Sequence, residues 1–182
     1  MKKVLMLALA ITMISSVAMA DEISVFADTQ GNACTFNFVG PNLYNAYVVH
    51  KTVAGATGSQ FKVVNNTGVT FSASVMGGFL AIGDAFTNLS LAYGGCLAGP
   101  NIAVVQLTGA IFAAPATNCG LIDVVAAPGT VGILNIDCTF AEIPANTGPF
   151  ALGNAASSDC TCGIVIVPTE QSTWGKVKSL YR

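Results

Sequence analysis

Leu121-Ile122-Asp123-Val124-Val125-Ala126-Ala127-Pro128-Gly129-Thr130-Val131-Gly132-Ile133-Leu134-Asn135-Ile136-Asp137-Cys138-Thr139 is two β-rich runs around one turn signal. Val and Ile dominate both runs, and their branched side chains suit a pleated, half-buried surface. Between them, Pro128 fixes φ at the second turn position and Gly129 accepts a positive φ at the third. The stretch reads as a hairpin centred between Pro128 and Gly129. That register sets Cys119 directly opposite Cys138, close enough for a cross-strand disulfide. It also puts Asp123 on one face with Cys119, Leu121 and Val125, which makes it either a partly buried carboxylate with a hydrogen-bond partner or a sign that this face is not fully covered.

The same grammar runs outward in both directions. Short runs rich in Val, Ile, Phe, Thr and Tyr alternate with Gly, Asn and Pro about every ten residues. Strands are expected over 22–27, 34–39, 46–53, 60–65, 70–75, 89–93, 102–112, 121–126 and 131–139. No window of the body carries the 3, 4, 7 stripe of an amphipathic helix. Short strands at this spacing predict an all-β, two-sheet sandwich, Ig-like or jelly-roll-like. After Phe140 the pattern loosens, and 142–158 reads as a long excursion.

The first twenty residues form an export signal. Lys2 and Lys3 precede an apolar run, and Ala18-Met19-Ala20 offers the small-x-small pattern of signal peptidase, with cleavage after Ala20. The run is shorter than the ~20 apolar residues of a spanning helix, and no later segment reaches that length. The expected organisation is a signal peptide over 1–20, a sandwich domain over 21–169, and a linker and tail over 170–182. Roughly 160 residues remain after cleavage, the size of one domain. All six cysteines (Cys34, Cys96, Cys119, Cys138, Cys160 and Cys162) lie in that part. In an oxidising compartment an even set reads as a disulfide framework; beyond Cys119–Cys138 the pairing of the other four stays open.

Between Asp21 and Thr169 two lysines, Lys51 and Lys62, face eight acidic residues, a net charge of −6. Nucleic acid needs a basic footprint, which the body lacks. Charged residues make up 9% of the chain, against about 25% in ordinary globular proteins. So weakly charged a surface suits self-association, or a place in a matrix or on a cell surface.

The last eleven residues differ from the rest. Ser172 or Thr173 can cap a short helix whose one face carries Trp174, Val177 and Tyr181, with Leu180 beside them and Lys176 and Lys178 turned away. A helix of that length is marginal in water unless something receives its apolar face. The tail reads either as a segment docked on its own sandwich or as a sorting or tethering tag. Its Trp174-Gly175-Lys176-Val177-Lys178-Ser179-Leu180-Tyr181-Arg182 ending, with Asp28-x-x-Gly31 before Cys34 and Gly94-Gly95-Cys96-Leu97, resembles a group of uncharacterised secreted bacterial β-sandwich proteins. The resemblance implies a secreted β domain with a C-terminal tail, and no reaction.

Catalytic signatures are missing. His50 is the sole histidine and stands on a strand-like run, where a face or core position is expected. Blue-copper sites and most zinc enzymes need more histidines, and no Gly-x-Ser-x-Gly elbow offers His50 a nucleophile. Asp84, Asp123, Asp137 and Glu142 are the acids from which a glycosidase pair would be drawn. Cys160-x-Cys162 reads as structural bridging rather than a redox pair. Asp28, on the Asp28-Thr29-Gln30-Gly31-Asn32 turn, is a weak calcium candidate. No catalytic residue and no cofactor are assigned. The expected function is that of a non-enzymatic secreted or cell-surface structural or binding protein. A carbohydrate-binding module stacking sugars on Tyr44, Tyr47 and Tyr93 is the alternative, and an exported hydrolase the second alternative.

Overall fold

The computed structural model describes residues 21–113, 120–148 and 150–153. The expected signal peptide, Cys119, Cys160, Cys162 and the tail lie outside the described residues. Twelve strands are present among those described: β1 (Glu22–Phe26), β2 (Thr35–Asn37), β3 (Asn42–Lys51), β4 (Ala56–Asn65), β5 (Phe71–Val75), β6 (Leu80–Asp84), β7 (Asn88–Leu97), β8 (Asn101–Ile111), β9 (Gly120–Val125), β10 (Ile133–Asp137), β11 (Glu142–Ala145) and β12 (Phe150–Gly153). Each of the nine expected strands has its counterpart. The expected excursion after Phe140 is corrected in part, because β11 and β12 fall within it. β6 was not expected: its Ala81 and Gly83 are weak strand formers, and pairing with β7 holds it.

The chain is an all-β sandwich. A smaller sheet has the order β1-β3-β8-β5; the larger is built around β4, with β7 and then β6 on one side and β10 and then β11 on the other. Ile23, Val25, Val48 and Leu107 from the smaller sheet meet Phe61, Leu89 and Ile122 from the larger one, all essentially without solvent contact. Each such side chain contributes about 1.5–3 kcal/mol by leaving water. The outer edge of β1 is closed by the 146–148 segment: Asn146 N donates to Asp21 O, Ile23 N donates to Asn146 O, and Gly148 N donates to Ser24 Oγ.

The turn at 127–130 is real, but it is not a hairpin. Thr130 N donates to Ala127 O at 3.1 Å and Gly129 has φ +88°. Yet β9 and β10 both pair antiparallel with β4, β9 against Lys62–Asn65 and β10 against Ala56–Gln60, so they run in the same direction. Val63 N donates to Ala85 O in the β6–β7 turn, which leaves the opposite edge of β4 to β10 and β9 in succession. The chain makes one long interrupted strand with an outward detour over 126–132. The turn chemistry explains this: a Pro-Gly turn with positive φ only at its third position twists against a hairpin, which favours the mirror-image types.

The disulfide moves with the topology. Cys138 bonds to Cys96, not to the expected Cys119, with Cα atoms 5.1 Å apart. Ala56 of β4 pairs with Leu97 on one side and Asp137 on the other, so the ends of β7 and β10 flank the start of β4 and their cysteines close over it. Gly55 fits beneath the bridge. A Cβ there would stand 2.7 Å from Cys138 Sγ, and its φ of +83° suits glycine alone. Cys34 is disulfide-bonded as well.

Candidate functional site

The sequence-predicted chemistry converges on the core. His50 points from β3 toward the larger sheet and has no solvent exposure. Its Nδ1 lies 3.0 Å from the Tyr93 hydroxyl, which lies 2.7 Å from Ser59 Oγ. Its Nε2 faces Asp21 Oδ2 at 3.8 Å. Asp21, itself buried, accepts Val53 N on Oδ1 at 2.9 Å and Asn135 Nδ2 on Oδ2. With a carboxylate beside Nε2, the imidazole proton belongs there. Ser59 then donates to Tyr93, and Tyr93 donates to Nδ1. Burial holds the His50 pKa down to about 4 despite the opposing charge of Asp21. It raises that of Tyr93, against a smaller lowering by the Ser59 hydrogen bond.

This polar line pins β3 to β4, β7 and β10 across the sandwich. Sealed from solvent, it offers no access for a substrate. Tyr93→Phe is expected to cost about 1–3 kcal/mol, because the Ser59 hydroxyl donor and the His50 Nδ1 acceptor both lose their partner inside the core; urea unfolding of the variant checks this.

The other candidates are tied up locally. Asp28 takes N–H groups from Gln30 and Asn32 on one oxygen and from Ala33 on the other. Desolvation alone would raise its pKa, but these backbone donors lower it overall. Its carboxylate closes a turn, and no group of three or more His, Cys, Asp or Glu suited to a metal ion occurs among the described residues. Asp84 accepts Phe86 N, Asp123 accepts Thr147 Oγ1, and Asp137 accepts Thr139 and Ala141. Asp123 has the face and the partner expected of it. Tyr93 is a core residue and Tyr44 closes its own loop, donating to Gly40 O and accepting Val39 N. Of the three tyrosines proposed for sugar stacking, only Tyr47 is left without such a role.

What sequence reasoning missed lies on the outer face of the larger sheet. Cross-strand partners share a face, and the registers line up two outward rows: Leu80, Ala92, Gly58, Ile136 and Glu142, then Ile82, Ser90, Gln60, Leu134 and Pro144. Leu80 and Ile82 are 68% and 70% exposed. Five strands at about 4.8 Å make this face roughly 20 Å wide. Its apolar residues lie to either side of the centre, Leu80 and Ile82 on β6 and Leu134 and Ile136 on β10, with Ala92, Ser90, Gly58 and Gln60 between them; a solvated sheet face ordinarily carries polar groups at such positions. Gln60 Nε2 bonds to Asn88 Oδ1, and Asp84 and Glu142 mark two of its margins. Gly83 keeps β6 in place: φ is +93°, and a Cβ would stand 2.0 Å from Asn88 O. Among the described residues no helix is long and apolar enough to cross a membrane.

No protein-family model matches the chain. No curated protein sequence matches it either. Solved structures do. A type II cohesin domain from the cellulosome of Acetivibrio cellulolyticus is 13% identical with a TM-score of 0.51, over 76% of this chain and 99% of that one. A non-cellulosomal cohesin from the hyperthermophilic archaeon Archaeoglobus fulgidus is 10% identical (TM-score 0.47; 73% and 91% covered). The third ScaB cohesin of R. flavefaciens, in complex with a group 1 dockerin, is 9% identical (TM-score 0.49; 75% and 96%). What the chain shares with the first of these is the fold: a two-sheet, jelly-roll-like sandwich.

Proposed function

We propose that this protein is an exported, non-enzymatic binding module that docks a protein partner on the outer face of β6, β7, β4, β10 and β11. The observation that carries this reading is the outward face on which β6 presents Leu80 and Ile82, 68% and 70% exposed, and β10 presents Leu134 and Ile136. An exposed apolar face with a polar rim is what a protein interface requires. The fold shared with cohesin domains is a scaffold, and the choice of binding over catalysis rests on the face itself. The Cys96–Cys138 bridge supports an oxidising compartment, in keeping with the expected export signal.

The test compares the immobilised mature protein with its Leu80→Asp/Ile82→Asp variant as bait for extracellular proteins of the source cells. The wild type is expected to retain a defined partner, and the variant to bind it about tenfold more weakly or worse, the scale of losing an interface anchor. Equal retention by both would overturn the reading. Polysaccharide retention that survives this substitution would favour a glycan-binding role elsewhere on the molecule.

A further inference from the structure

We infer that the outer face of the smaller sheet is a second binding site, whose ligand is the chain of a neutral polysaccharide. The site lies on the opposite side of the sandwich from the protein-binding face and shares no residue with it. Ala46, Val48, Val105, Leu107 and Phe71 turn into the core, so alternation turns their strand neighbours outward. Cross-strand partners then form two rows over β3, β8 and β5: Tyr47, Gln106 and Ser74 in one, Asn45, Thr108 and Ser72 in the next. Asn45, Ser72 and Ser74 are exposed and the other three partly so.

Low charge alone does not mark a site in a chain of this composition. The hydrogen bonds do. Gln106 Nε2 donates to Asn45 Oδ1 at 3.1 Å and to Thr108 Oγ1 at 3.3 Å, and Thr108 Oγ1 donates to Asn45 Oδ1 at 2.9 Å. These contacts decide which end of each amide is engaged: the oxygen of Asn45 and the nitrogen of Gln106. Asn45 Nδ2 and Gln106 Oε1 are left over, and neither they nor the Tyr47 hydroxyl bonds to another side chain or backbone group among the described residues. A donor and an acceptor held in fixed directions on adjacent strands match neighbouring sugar hydroxyls, each of which both donates and accepts. The two amides are already ordered in the free protein, which lowers the entropic cost of binding.

Tyr47 supplies the apolar part. It stands directly opposite Gln106, with Cβ atoms about 5 Å apart, and offers a ring plane to the C–H face of a sugar beside groups for its hydroxyls. Leu43, 64% exposed, lies on the same strand face beyond Asn45, about 13 Å from Tyr47. That apolar–polar–apolar line is longer than one sugar ring, and it runs over an open face, so it suits a chain better than a monosaccharide. Charge selects the neutral kind. Neither row carries a cation for a carboxylate or sulfate, and Lys51, farther along β3, is engaged by Glu22 at 3.5 Å and by the Phe26 ring. A body of net charge −6 also repels acidic polymers.

The test measures the bound fraction of the mature protein on microcrystalline cellulose, chitin and granular starch, with alginate beads as the acidic polymer. The wild type is expected to be retained on at least one neutral polymer and not on alginate. Tyr47→Ala and, separately, Asn45→Ala/Gln106→Ala should each weaken that retention about tenfold or more, while Tyr47→Phe, which keeps the ring, should retain most of it. Urea midpoints show that the variants are folded; if Tyr47→Ala is not, the exposed amide pair carries the test. Leu80→Asp/Ile82→Asp should bind the polymer as the wild type does. No retention on any neutral polymer, retention on alginate alone, or retention that the Tyr47 and amide substitutions leave unchanged would overturn the proposal. So would loss of polymer with the Leu80→Asp/Ile82→Asp variant alone, which would assign the polymer to the other face. Loss of protein capture with polymer binding intact is the expected behaviour of that variant and supports two separate sites.

Discussion

Replacing Cys96 and Cys138 together by alanine is expected to destabilise the protein by about 4 kcal/mol. The bridge closes a loop of 42 residues, and cross-linking a loop of that size removes about 13 cal/mol/K of denatured-chain entropy, roughly 4 kcal/mol at 25 °C. For a domain of this size that corresponds to a fall in Tm of roughly 10 °C. The bridge joins the two strands that flank β4, the strand on which the larger sheet is assembled, so its loss is felt where β7 and β10 begin to separate. Urea unfolding of the double variant measures the effect, and peptide mapping of the unreduced wild type should recover the Cys96 and Cys138 peptides joined. A cost below about 1 kcal/mol would show that the denatured chain is already constrained there.

The second large effect is a loss of stability in acid that belongs to His50. Its folded pKa, about 4, lies below the ordinary imidazole value of 6.5 because the imidazole is buried. The unfolded chain therefore takes up this proton first. The stability that His50 confers is complete above the unfolded value and drains away as pH falls from about 6.5 toward 4. Two and a half pKa units correspond to about 3 kcal/mol. His50→Gln keeps a polar group near Tyr93 but cannot titrate, so its stability should be flatter across this window, even if lower at pH 7. Thr139 and backbone donors hold Asp137 below its ordinary pKa, and backbone donors do so for Asp28. Their contributions are lost only at lower pH, below the ordinary aspartate value, and leave the His50 window distinct. Parallel pH profiles for wild type and variant would refute the assignment.

The architecture was legible because branched and aromatic residues punctuated by Gly, Asn and Pro mark strands whatever their neighbours. Partners are another matter. The Ala127-Pro128-Gly129-Thr130 signal identifies a turn correctly, but whether the chain reverses there or resumes its course depends on β4, some sixty residues earlier, which sequence spacing does not reveal. The wrong neighbour for β10 then entailed the wrong partner for Cys138. The outward apolar residues of the larger sheet were hidden for a related reason. In Ile133-Leu134-Asn135-Ile136-Asp137, alternation suggests Leu134 and Ile136 inward and Asn135 and Asp137 outward; the fold does the reverse. Asn135 is drawn in by Asp21, and Asp137 by the turn it closes on Thr139 and Ala141. A polar residue satisfied inside and an apolar one turned to the outer face are legible only once their contacts are known. His50 was the easier case: a lone histidine on a Val-rich strand belonged in the interior, and it is there.

The detour at 126–132 makes this molecule a ready host for grafted peptides. Gly129 and Gly132 have open space around them, and Val131 projects fully into solvent. Because β4 clamps the strand on both sides of the break, foreign sequence spliced at Val131 leaves both registers where they are, and each doubling of the loop costs only about 0.6 kcal/mol in closure entropy. Natural variation in length should collect at the same point, for the same reason.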